Sequence, residues 1–104
     1  MKRIIDGLVY DTEKAEVVAD YYYSHKGDFN YIKEKLYKTS NGRYFLYGEG
    51  GPKTEYFENV GNGSYSGGNM IIPLTKEGAL DWVERREIDE KKILEELSEV
   101  LDEA

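Results

Sequence analysis

The sequence predicts an α+β domain, an antiparallel meander sheet of four to five strands packed against two C-terminal helices. Three observations carry this. Lys35–Thr39 and Arg43–Tyr47 are runs of β-formers flanking Asn41-Gly42, the strongest short-range hairpin signal. Glycine-rich punctuation follows at Gly48–Gly51 and Gly61–Asn69. Beyond Thr75 the apolar period changes from two to 3.6, through Ala79, Leu80, Trp82 and Val83 and then Ile93, Leu94, Leu97, Val100 and Leu101.

Arg3–Ile5 and Gly7–Tyr10 read as a short first strand, and Asp11–Lys14 as a turn in which Asp11 bonds forward to the backbone. Ala15–Tyr23 is the second strand, with Val17, Ala19, Tyr21 and Tyr23 expected on the inner face. Ser24–Asn30 is a polar loop. Tyr31–Thr39 is the third strand and Arg43–Tyr47 the fourth. A two-residue type I′ turn at Asn41-Gly42 would place Tyr37 opposite Leu46 and Leu36 opposite Tyr47. Leu36, Lys38, Phe45 and Tyr47 would then share one side, and Tyr37, Thr39, Tyr44 and Leu46 the other. Neither side is plainly polar, so this hairpin is central in its sheet or offers one face to a partner. Lys53–Val60 reads as either a loop or a short helical turn capped by Thr54. Met70–Ile72 is a short strand closed by Pro73. Thr75 caps a helix over Lys76–Arg86 that Gly78 weakens, and Asp89 caps a second helix running to Leu101.

The 104 residues form one domain: residues 1–75 hold the sheet and glycine-rich loops, and residues 76–104 an acidic helical region. A chain of this length buries about 60–70% of the surface its unfolded form exposes, so its core needs no disulfide or metal staple. With no cysteine it has neither a disulfide nor a thiolate site, which permits a reducing compartment. No run approaches the ~18 apolar residues of a membrane span, and a cytoplasmic protein without a membrane partner is expected. Nearly all of the formal charge of −7 lies beyond Thr75, where eleven acids meet five bases. Ten tyrosines suit half-buried sheet faces and binding surfaces, because the ring packs while the hydroxyl stays wet.

The residues offer little catalytic chemistry. His25 is the only histidine and sits in a polar loop without an acid at ligand spacing, so neither a triad nor a metal centre is expected. Gly48–Gly51 and Gly61–Gly63 lack the patterns of nucleotide-binding loops, and Glu49 would repel phosphate. The expectation is a chain that is not an enzyme and takes no small-molecule cofactor. Two binding surfaces are candidates. Glu95, Glu99, Asp102 and Glu103, one helical turn apart, would form an acidic row that steers toward a cationic partner. Tyr44, Tyr47, Glu49 and Tyr56 would supply contact area beside it. Alternatively, Tyr31, Lys33, Lys35 and Tyr37 fall on one strand face with Arg43 nearby, an aromatic-basic stripe suited to single-stranded nucleic acid. A self-associating structural module, with the oligomeric state open, is a third class.

The run LYKTSNGRYFLYGEGGP (Leu36–Pro52), with Ser66-Gly67-Gly68 and IIPLT (Ile71–Thr75) before a helix holding Ala79 and Trp82, resembles a family of short proteins from mobile elements of Gram-positive bacteria. Gly7, Tyr10-Asp11-Thr12 and Ala15 resemble that family's opening. Some relatives in the family are associated with anti-CRISPR proteins acting on type II systems. The resemblance implies a host defence protein as partner, a Cas9-type nuclease whose nucleic-acid-binding surface would be blocked. It spans Ile4 to Glu84 and departs at Gly78, where the family pattern has glutamate. The acidic last helix lies outside it.

Overall fold

A computed structural model describes all residues, Met1–Ala104. Its centre is a four-stranded antiparallel sheet in the order β3 (Glu16–Tyr23), β4 (Ile32–Lys38), β5 (Tyr44–Gly50) and β8 (Gly68–Leu74). The central hairpin β4–β5 carries apolar side chains on both faces, and both faces are covered.

On one face pack α1 (Lys76–Arg85) and α2 (Lys91–Glu96). They close a core of Val18, Ala19, Leu36, Leu46, Trp82 and Ile93 with their neighbours. On the other lies a separate hairpin, β1 (Lys2–Ile5) with β2 (Leu8–Asp11), whose Tyr10 joins Tyr37, Phe45 and Ile71. The expected single first strand is therefore two. Asp6 and Gly7 both adopt positive φ, 50° and 77°, and turn the chain back in a two-residue type I′ turn. Asp11 makes the expected forward bond, accepting from the Glu13 N–H at 2.9 Å.

The β4–β5 register differs by one residue from the expected one. Tyr37 pairs with Phe45 and Leu36 with Leu46. The Gly42 N–H donates to the Thr39 carbonyl at 2.9 Å and the Thr39 N–H to the Arg43 carbonyl at 2.8 Å, while only Gly42 has positive φ. This is a three-residue loop with a glycine bulge, not a type I′ turn. Charge favours the observed register: the type I′ register would set Glu34 opposite Glu49, whereas the observed one sets Lys33 opposite Glu49 and Glu34 opposite Gly48. Leu36, Lys38, Tyr44 and Leu46 consequently share the helix side, and Tyr37, Phe45 and Tyr47 the hairpin side.

In β3 a bulge between Val17 and Ala19 puts both Val18 and Ala19 into the helix-side core and turns Val17 away. Residues 52–56 form turns rather than a helix; Thr54 closes them by donating to the Gly51 carbonyl and accepting from the Tyr56 N–H. The glycine-rich segment then contains a hairpin, β6 (Glu58–Gly61) with β7 (Ser64–Ser66), turned at Asn62-Gly63 with both φ positive. β8 continues through Pro73, which an edge strand tolerates.

Thr75 caps α1, its hydroxyl accepting from the Gly78 N–H at 3.0 Å. α2 begins after Glu90 without a side-chain cap, so Asp89 does not fill that role. It ends after Glu96; a 3-10 turn over Ser98–Val100 and an extended Leu101 follow. The expected helix to Leu101 therefore stops short, with Ile93 and Leu97 buried in the core and Glu96 paired with Lys38. No base offsets the macrodipole in its last turn.

Candidate functional site

α1 ends in a Schellman motif: the Glu87 N–H donates to the Glu84 carbonyl at 3.2 Å and the Ile88 N–H to that of Val83 at 3.0 Å. Glu87 occupies its left-handed position at φ 56°, where glycine is favoured. The turn brings α2 back beside α1 and leaves a groove of about 310 Å³ between them. Leu80, Val83, Ile93 and Leu97 line its floor, Leu94 stands 52% exposed at its edge, and Glu84, Glu87 and Asp89 line its rim. No base lines it.

The surroundings deepen the negative charge. Of the eleven acids beyond Thr75, all but Glu96 are exposed. The cations of this region are largely turned elsewhere: Arg86 inward to Glu34, Lys92 to Glu16 and the Val17 carbonyl, and Lys76 to Glu99.

Beneath α1 lies a second polar cluster. Glu34 has no exposed surface, yet its carboxylate accepts from Trp82 Nε1 at 2.9 Å, from Arg86 Nε at 2.7 Å and from the Tyr56 hydroxyl. The Arg86 guanidinium also stacks 4.3 Å from the Tyr21 ring centroid and approaches Glu55 at 3.6 Å. Burial pushes the Glu34 carboxyl up, but the Arg86, Tyr56 and Trp82 donors outweigh it and hold the pKa below the usual carboxylate range. Tyr56 reaches Glu34 across Gly48, where a Cβ would overlap its ring. With both oxygens taken by donors and no access to water, this carboxylate holds the strand to the helix layer. Sequence reasoning missed the cluster. Its signal was an acid two residues from Leu36 on a strand, hence on the core face, with Trp82 and Arg86 one helical turn apart.

The predicted contact residues separate. Tyr44 and Tyr56 are buried and supply no contact area: Tyr44 lies on the helix side of β5, and Tyr56 reaches from the turn at residues 52–56 to Glu34. The Tyr44 hydroxyl donates to Glu96 at 2.5 Å, beside Lys38 at 2.6 Å. Lys38 first, then Tyr44, hold the Glu96 carboxyl below its usual range. Tyr47 and Glu49 are half-buried on the opposite side of the sheet. Glu95 and Glu99 are exposed, but Asp102 and Glu103 lie past the last helical turn, so the four acids do not form one helical row.

The aromatic-basic stripe is likewise altered. Tyr37 is buried and stacked on Phe45, ring centroids 5.0 Å apart, so it offers no platform for a base. Glu49 accepts from the Tyr31 hydroxyl at 3.1 Å and the Tyr47 hydroxyl at 2.8 Å, with Lys33 at 3.9 Å and Lys26 at 3.8 Å. Burial raises its pKa, but the Tyr47 and Tyr31 donors and the two lysines prevail and lower it. An acid thus occupies the centre of the stripe, with Lys35 beside it and Arg43 in the turn beyond. His25 accepts from the Gly27 N–H in an exposed loop, and no cluster of acids and histidine has metal-binding geometry. No helix is long and apolar enough to cross a membrane.

Comparison with protein-family models, with curated proteins and with solved structures finds no match.

Proposed function

We propose that this chain is a non-enzymatic, acidic protein-binding module that covers a cationic, nucleic-acid-binding surface of a host defence protein. The Cas9-type nuclease to which the sequence resemblance points is the candidate partner. The observation that carries the reading is the α1–α2 groove, apolar in its floor and acidic around its rim, on the side of the domain where the net charge is concentrated. Such a site suits an aliphatic anchor flanked by lysine or arginine. The apolar floor supplies affinity and the carboxylates supply register and steering. Glu95, Glu99, Asp102 and Glu103 add long-range attraction rather than a phosphate-spaced row.

Biolayer interferometry against the nuclease, with and without guide RNA, tests this. Binding to the apo nuclease and exclusion by guide RNA are expected. Reversing Glu84, Glu87 and Asp89 together to lysine is expected to weaken binding about 100-fold, roughly 1 kcal/mol for each acid. Reversing Glu95, Glu99, Asp102 and Glu103 is expected mainly to slow association. Unchanged affinity of the groove variant in moderate salt, with its circular dichroism intact, overturns the reading.

A further inference from the structure

The β1–β2 hairpin stops short of the β4–β5 turn and leaves a cleft of about 390 Å³ between them, lined by Lys2, Lys14, Arg43 and Tyr10. A second cleft of about 370 Å³ shares Tyr10 and Arg43 and adds Lys38 and Lys76. Five cations therefore line one end of a chain whose net charge is −7, and Asp11 is the only acid among the lining residues. Lys38 and Lys76 are held by Glu96 and Glu99, whereas Lys2, Lys14 and Arg43 make no ion pair. The Asp11 carboxylate is engaged by the Glu13 N–H.

Tyr10 supplies the second observation. It is 95% buried, since only 5% of its surface is exposed, and its ring meets Phe45 edge-on at 5.4 Å. No protein group bonds its hydroxyl, although every fully buried side-chain polar atom in the protein has a partner. The hydroxyl is therefore not fully enclosed: it keeps a solvent-facing edge on a residue that lines both clefts, held in place by a packed ring.

We propose that these adjoining clefts bind a phosphate-bearing ligand, its phosphate seated between the Tyr10 hydroxyl and the Arg43 guanidinium with Lys2 and Lys14 beside it. A guanidinium matches phosphate oxygens in a two-bond fork, and a neutral hydroxyl donates to a third oxygen. Three free cations around one seat suit the charge of a phosphate better than that of a single carboxylate. The site shares no residue with the α1–α2 groove and does not depend on the function proposed for it.

The test is an NMR titration of the full chain at low ionic strength with inorganic phosphate, with AMP and with a short oligothymidylate. Saturable shifts confined to Tyr10, Lys14 and Ser40–Arg43 are expected. Tyr10→Phe, which keeps the ring contact with Phe45, and Arg43→Gln are each expected to weaken binding about tenfold. Saturation by AMP as readily as by the oligonucleotide assigns the site to a phosphate monoester. Salt-sensitive binding of the oligonucleotide alone assigns it to a diester backbone. Absence of shifts at these residues with all three probes at millimolar concentration, or undiminished binding by both folded variants, overturns the proposal.

Discussion

Replacing Arg86 by methionine isolates the part of the structure on which the helix layer depends. Methionine keeps the aliphatic stem but removes the guanidinium that donates to Glu34 at 2.7 Å, leaving a carboxylate with no exposed surface facing only Trp82 and Tyr56. Breaking a buried pair by removing one partner costs about 3–5 kcal/mol. The Arg86 side chain is 14% exposed, so water can reach the gap and the lower end, about 3 kcal/mol, applies. For a domain of this size that lowers Tm by roughly 10–25 °C. The sign with pH follows from Glu34. Its folded pKa lies below the ordinary 4.5 and rises when the Arg86 guanidinium, the largest of the groups that lower it, is gone and burial is opposed only by Tyr56 and Trp82. The deficit of the variant is therefore largest at neutral pH and shrinks as pH falls toward the carboxylate range. Urea and thermal melts followed by circular dichroism at two pH values measure both effects. Glu34→Gln combined with Arg86→Met is expected to recover about 2 kcal/mol, because the amide still accepts from Trp82 and no charge is stranded. A single-variant cost below about 1 kcal/mol, or a double variant no more stable than the single, refutes the reasoning.

Three further outcomes are expected. Glu87→Gly relieves a side chain at φ 56° and should stabilise the fold by about 1 kcal/mol in urea melts, while weakening binding in the interferometry assay. Gly48→Ala inserts a methyl into the Tyr56 ring and should cost about 2–3 kcal/mol, read as a lower urea midpoint and as loss of Tyr56 protection from solvent. Glu34, Glu49 and Glu96 all have folded pKa values lowered from 4.5, so their contribution is complete above that value and drains as pH falls through the folded values. Denaturant midpoints across an acid series should fall there, and Glu49→Gln should flatten part of the slope.

Local chemistry carried much of the fold into view from the sequence. Thr75 as a cap, the stripe of Ala79, Trp82 and Val83, the forward-bonding Asp11 and the β-rich runs about Asn41-Gly42 each depend on neighbours within a few residues. So does the concentration of acids beyond Thr75, which locates the negative end of the domain. Register and layering were decided elsewhere. Asp6-Gly7 and Asn62-Gly63 form type I′ turns while Asn41-Gly42 does not, because the register of β4 and β5 is settled by faces and cross-strand pairs several residues from the turn. Val18 reaches the core through a bulge, and Tyr44 and Tyr56 disappear beneath helices that begin twenty or more residues later in the chain. Glu34 illustrates the division most clearly. Its neighbour Leu36 identified the face it shares, but only packing against Trp82, Arg86 and Tyr56, contributed by separate parts of the chain, turned a buried charge into a stabilising one.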